Sequence, residues 1–95
     1  MSANGISSPR FLLGRVVATP NVVDTIPPDE ILQALSRHER GDWGELESED
    51  LEANENALKH GGRLCSRYFS TANAKFWIIT EWDRKKTTVL LPEDY

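Results

Sequence analysis

The stretch from Lys75 to Pro92 constrains the fold more than any other part of the chain. It reads Lys75-Phe76-Trp77-Ile78-Ile79-Thr80-Glu81-Trp82, then Asp83-Arg84-Lys85-Lys86, then Thr87-Thr88-Val89-Leu90-Leu91-Pro92. β-Branched and aromatic residues dominate both flanks, and the charged residues between them read as a turn. So short a connection makes the two strands antiparallel. Upstream, Arg63–Ser70 reads as another strand and Thr71-Ala72-Asn73-Ala74 as its turn, which completes a three-strand meander. Alternation puts Leu64 and Tyr68 on one face of their strand and Cys65 and Phe69 on the other. In the same way Phe76, Ile78, Thr80 and Trp82 oppose Trp77, Ile79 and Glu81. Large apolar groups on both faces predict a central strand covered on both sides, at least in part, with both tryptophans at the core.

The N-terminal part reads differently. Met1–Pro9 lacks periodicity and is expected to be a mobile, disordered tail. Arg10–Ala18 is a β-type run in which Gly14 suits a bulge. Thr19-Pro20 opens a short helix, a hydroxyl N-cap followed by a proline whose missing N–H costs nothing there. Val22, Val23 and Ile26 are its expected inner side, and Pro27 and Pro28 end it. Pro28 opens the next helix, with Asp29 and Glu30 at the positive end of the dipole. Its expected apolar stripe is Ile31, Leu32 and Leu35, extended by His38, and Gly41 suits a left-handed end. Ser48 is the expected N-cap of a third helix whose narrow stripe runs through Leu51, Asn54 and Ala57 to the Gly61-Gly62 stop. The order β-α-α-α-β-β-β predicts an α+β fold, residues 10–95 forming one domain with helices packed on an antiparallel sheet. The first strand must pair non-locally, with an edge that the sequence leaves open.

Composition narrows function by exclusion. The chain has 95 residues, 27% of them charged, and a net charge of −4. It has no apolar run of the ~20 residues needed to span a bilayer, and its N-terminus has neither the basic nor the apolar region of a secretory signal. Cys65 stands alone, so no internal disulfide and no zinc spacing arise, and a cytoplasmic setting is the expectation. Charge is unevenly spread: Glu45, Glu47, Glu49, Asp50, Glu52 and Glu55 crowd together, while Arg63, Arg67, Lys75, Arg84, Lys85 and Lys86 lie in the last third. The net acidity weighs against broad duplex binding, which depends on phosphate contacts.

The densest mixture of functional side chains is Arg37-His38-Glu39-Arg40-Gly41-Asp42-Trp43-Gly44. His38 has the chemistry of a general base near neutral pH, and Arg37 or Arg40 that of a phosphate ligand. The plainer assignment has His38 bonding a backbone carbonyl on the inner line of its helix, Trp43 plugging a helix junction and Asp42 in an Asx turn. Glu81 and Asp83 are paired carboxylates beside Trp82, but the Arg84-Lys85-Lys86 run favours a salt-linked turn. Arg63 and Arg67 would lower the Cys65 thiol pKa, whereas strand alternation makes Cys65 a small core residue. No phosphate-binding glycine loop, nucleophile elbow, metal helix or Cys/His cluster occurs. The reading therefore assigns no catalytic residue, cofactor or metal. It favours a non-catalytic interaction or regulatory module, a monomer or weak dimer with a protein partner, nucleic acid being the alternative that the net charge disfavours. Its candidate binding residues are Arg37, His38, Arg40, Trp43, Glu81 and Arg84, provided that the two turns share one side of the sheet.

Two resemblances extend this. The element order looks like that of RelE-type toxins and the wider barnase-like ribonucleases, which implies RNA cleavage by His38, Arg67, Tyr68 and Glu81. This is an analogy of topology. The strings Leu13–Pro20, Arg37–Gly44 and Trp77–Arg84 leading to Thr87–Tyr95 resemble small bacterial proteins described as plasmid-related. That resemblance implies a bacterial, mobile-element setting. In such a setting the acidic run from Glu45 to Glu55 has the chemistry of an anti-defence protein whose carboxylates imitate a phosphate backbone, although its spacing falls around a helix rather than along two parallel rows.

Overall fold

Thr19 begins the first helix as its sequence implies: the side chain accepts a hydrogen bond from the Val22 N–H at 3.2 Å. In the computed structural model, which describes residues 8–95, this helix is α1, Pro20–Thr25. It follows strand β1, Arg15–Ala18. Two longer helices come next, α2 at Pro28–Glu39 and α3 at Ser48–His60. Strands β2 (Leu64–Phe69), β3 (Lys75–Thr80) and β4 (Lys86–Leu90) close the fold, with a short 3-10 turn at Pro92–Asp94. The α+β class and the order β-α-α-α-β-β-β are as expected. Most of the expected tail, residues 1–7, lies outside the described residues.

The sheet order is β1-β4-β3-β2, so the first strand joins the last one, and the two run parallel. The parallel pairing is possible because three helices and two strands separate β1 from β4 in the chain. The other two pairings are antiparallel, with Arg67 opposite Trp77 and Ile79 opposite Thr88. The expected strand from Arg10 shortens to Arg15–Ala18. Gly14 precedes it rather than bulging within it, and at φ 68° its bare Cα lies against the Arg84–Lys85 backbone.

One face of the sheet carries the core. Val22 of α1, Ile26 at its C-cap, and Ala34 and Leu35 of α2 pack on Tyr68, Phe76, Ile78, Val89 and Leu91. A smaller cluster of Trp43, Ala57 and Leu64 sits under α3. Several expected inner residues turn outward: Val23 is 54% and Leu32 67% exposed. α1 has less than two turns and α2 crosses the sheet on its Ala34–Leu35–His38 line, so each helix has a narrower inner stripe than its apolar content suggests. Leu51 is likewise exposed, and Asn54 and Ala57 alone are buried in α3. Glu47 rather than Ser48 occupies the α3 cap position, and its side chain makes no capping bond.

The tryptophan expectation needs the largest correction. β3 ends at Thr80, so alternation stops there and Trp82 projects into solvent from the turn, 69% exposed. Trp77 is half-buried on the face away from the helices, and the tryptophan of the core is Trp43.

The outer edge of β2 is closed without a strand. Asn54 donates to the Cys65 carbonyl at 2.8 Å and accepts from the Cys65 N–H at 3.1 Å. One turn further, Arg67 donates to the Trp43 carbonyl and accepts from the Glu45 N–H. A side-chain amide and a short loop thus occupy backbone groups that an open edge offers to other chains.

Candidate functional site

The Arg37–Gly44 segment is built as a structural knot. Arg37 forms an ion pair with Asp42 at 2.7 Å and lies over the Tyr68 ring, 4.7 Å from its centroid. The guanidinium holds the Asp42 carboxyl below its ordinary pKa. Asp42 also accepts from the Gly44 N–H, the expected Asx turn. Tyr68 donates its hydroxyl proton to the Asp42 carbonyl at 2.6 Å, and burial pushes its pKa up. Arg40 is the exposed member and donates to Ser36 Oγ. Trp43 is 4% exposed, stacks on Phe11 and donates its indole N–H to Glu55. Glu55 in turn pairs with Arg10 at 2.9 Å.

His38 is fully buried. It bonds not to a backbone carbonyl, as expected, but to side chains: Nδ1 meets Ser66 Oγ and Nε2 meets Thr80 Oγ1 at 2.9 Å. Thr80 continues to Thr87 at 2.7 Å, and Thr87 donates to the Leu13 carbonyl at 2.6 Å. The end of this chain sets its direction. A carbonyl only accepts, so Thr87 donates to Leu13, Thr80 donates to Thr87, and His38 donates from Nε2 to Thr80. Nδ1 is then the bare nitrogen and accepts from Ser66. Desolvation first, then the positive charge of Arg84, lowers the His38 pKa to about 3. A neutral imidazole locked at both nitrogens holds layers together and has no free position for proton transfer.

Arg84 is also consumed internally. It sits at φ 60° in the turn after β3 and donates to the carbonyls of Gly62, Ala57 and Glu81 at 2.6, 3.0 and 3.0 Å. It therefore caps the C-terminal carbonyls of α3 from another part of the chain. Removing it by Arg84→Ala is expected to destabilise the fold by roughly 2 kcal/mol, as for other charge-assisted bonds. Arg84→Lys should recover little of this, because one ammonium cannot span the three carbonyls; urea unfolding of both variants checks it.

The ribonuclease set does not converge. His38 and Tyr68 lie in the core on the helix side, while Arg67 and Glu81 belong to the opposite face. The sheet itself stands between them. Of the candidate binding residues, His38 and Trp43 touch, with ring centroids 5.6 Å apart, and Arg84 reaches the same cluster over Phe11. They meet as core, without an accessible surface. Glu81 faces away and pairs with Arg63 at 3.5 Å. Among the described residues, no group of His, Cys, Asp or Glu is placed to hold a metal ion, and no helix is long and apolar enough to cross a membrane.

The surface that sequence reading passed over is the face of the sheet opposite the helices. Register puts its side chains in rows: Arg15, Lys86, Glu81 and Arg63 in one, Val17, Thr88, Ile79 and Cys65 in the next, then Leu90, Trp77 and Arg67, and Lys75 beside Phe69 beyond. Tyr95 folds onto this face from the C-terminal turn, edge-on to Trp77 at 5.6 Å, with its hydroxyl accepting from Arg63 at 3.1 Å. A groove of about 340 Å³ runs along it between Asn54, Arg63, Cys65, Arg67 and Trp77. A second hollow of about 320 Å³ adjoins it, between Arg63, Ile79 and Tyr95. Cys65 lines both hollows rather than the core, and burial raises its pKa, which opposes thiolate chemistry. The Trp77 indole N–H is shielded from solvent without an acceptor among the described residues. The alternation that marks this face was legible; its lack of a covering helix was not.

Compared with known protein families, curated proteins and solved structures, the chain matches none.

Proposed function

We propose that this protein is a non-catalytic binding module that takes a polyanionic ligand on the open face of its sheet. The observation that carries this reading is the segregation of charge. Arg15, Arg63, Arg67, Lys75 and Lys86 share that face with the strand-end carboxylate of Glu81 and, at the α3 rim of the groove, that of Asp50, in a chain of net charge −4. The acidity that weighs against an anionic partner is carried elsewhere, chiefly by the α3 region. Screening confines charge effects to roughly 8–10 Å at ordinary salt, so local sign outweighs net sign. The aromatic side chains between the cations suit a ligand held by contact rather than by chemistry.

The knot of His38, Trp43 and Arg84 supports the same reading from the other side, since the titratable groups nearest to a catalytic pattern are spent on packing. A cytoplasmic, bacterial, mobile-element setting belongs to the proposal as well, carried by the free cysteine and the three sequence strings. Titration with inorganic polyphosphate, followed by amide NMR at low and moderate salt, tests the reading. Shifts are expected at Arg15–Val17, Arg63–Phe69, Lys75–Ile79 and Lys86–Thr88, fading as salt rises. An unmoved sheet, or shifts centred on Arg37–Gly44, would overturn it.

A further inference from the structure

The open face has more than charge, and from this we infer that its ligand is a single strand of nucleic acid with bases stacked on Trp77, Tyr95 and Phe69. The inference rests on the polyanion reading and adds the bases to it. Tyr95 is 72% and Phe69 46% exposed, and Trp77 lies partly buried between them. Exposed aromatic rings on a sheet are poor partners for water and good partners for the flat faces of unpaired bases. Each has a cation close by. Arg67 is directly across the ladder from Trp77, Lys75 lies over the Phe69 ring at 5.9 Å, and Arg63 lies over Tyr95 at 5.8 Å. That alternation of ring and positive charge matches a chain in which base and phosphate alternate.

The same geometry disfavours other polyanions. A duplex hides its base faces in the stack and offers nothing to Trp77. Its width would also bring phosphates towards Asp50, which lines the groove beside Arg67, and towards the rest of the acidic α3 surface. An acidic peptide satisfies the arginines and leaves the rings exposed. A single strand lying along the β2–β3 pair meets cations and rings together and has Asp50 at one rim of its groove, whereas a duplex would meet the wider acidic α3 surface as well.

The test uses the whole chain and a fluorescein-labelled oligo(dT) of about ten nucleotides, within the span that sheet-based single-strand sites cover. Polyphosphate, polyglutamate and a duplex of equal length serve as competitors. The strand is expected to bind more tightly than any competitor. Trp77→Ala should weaken it about tenfold or more, the size of one lost base stack, while Trp77→Phe keeps it within about threefold. Tyr95→Ala, at an exposed position, gives the same readout without touching the core, and thermal melts show that each variant is folded. Arg67→Glu should flatten the salt dependence. Equal binding of oligo(dT) and polyphosphate, with folded Trp77→Ala and Tyr95→Ala unchanged, would overturn base stacking and leave the polyanion reading standing. Preference for the duplex would also overturn the inference. No binding of any of them would overturn both.

Discussion

Replacing His38 with alanine should destabilise this domain by roughly 3–5 kcal/mol, a loss that includes the cavity and the hydroxyls left without partners. The imidazole is fully buried and touches two rings, Phe11 at 5.2 Å and Trp43 at 5.6 Å between centroids. It is also the link by which α2 reaches β2 and β3 through Ser66 and Thr80. Small domains have about 5–15 kcal/mol in hand, and each kcal/mol moves Tm by roughly 4–8 °C at this size. A fall on the order of 20 °C is therefore expected in a thermal melt. A loss under about 1 kcal/mol would mean that the hydroxyl chain re-forms without the ring.

The same residue sets a pH dependence. Its folded pKa, about 3, lies below its ordinary value of 6.5. The unfolded chain therefore takes up a proton first as pH falls. Stability is complete above 6.5 and declines through the window between 6.5 and 3, at up to roughly 1.4 kcal/mol per pH unit. About 2 kcal/mol should be lost between pH 6.5 and about 4.5. Asp42, held down by Arg37, and Glu55, held down by Arg10 and then Trp43, act in the same direction, but in the lower, carboxylate range. His38→Leu should abolish the slope above about pH 4.5 while lowering stability throughout. Urea titrations at several pH values check this, and an unchanged slope in the variant would assign the dependence elsewhere.

Gly44→Ala is the second large effect. Gly44 sits at φ 77°, and an added Cβ would run into the Arg67 carbonyl and come within 2.8 Å of the Tyr68 ring. The obstacle is backbone on one side and a buried ring on the other, so neither gives way cheaply. The loop would have to leave the edge of β2, breaking the bonds that join Trp43 and Glu45 to Arg67. A cost of roughly 2–4 kcal/mol is expected from strain and lost pairing together. Gly61→Ala is the control: nothing lies within 4 Å of the added atom, so only the conformational cost of its backbone at φ 89° and ψ 150° remains, roughly 1–3 kcal/mol for this glycine-favouring region. Freed edge groups also invite strand addition, and Gly44→Ala should aggregate at concentrations where Gly61→Ala does not, as light scattering would show. Equal aggregation of the two variants would refute the edge-closure account.

Local signals account for much of the fold. The hydroxyl–proline pair at Thr19 and Pro20, the second start at Pro28 and the alternation of Leu64–Phe69 and Lys75–Thr80 are short-range, and each element follows from chemistry within a few residues. The α+β class and the antiparallel meander were therefore legible, because a four-residue turn leaves its strands no other neighbour. The inner residues of the helices were less legible. Leu32 and Leu51 match helical spacing as well as their buried neighbours do, and only the crossing of helix over sheet selects among them.

The candidate site was legible in composition and not in location. Clustered arginine, histidine and tryptophan marked Arg37–Gly44, but burial depends on which elements meet, and Phe11, Ser66 and Thr80 arrive there from elsewhere in the chain. The open face depends on a still longer range. Arg15 joins Lys86 only because β1 pairs with β4, and Tyr95 reaches Trp77 only because Asp94 is tied to Thr19 and Asn21 at 2.6 and 2.7 Å. The chain's own residues decide what each element is, since propensity, capping and alternation act between neighbours. Which face stays bare, and which charges gather on it, rests on contacts between residues some 70 positions apart, and no local preference encodes them.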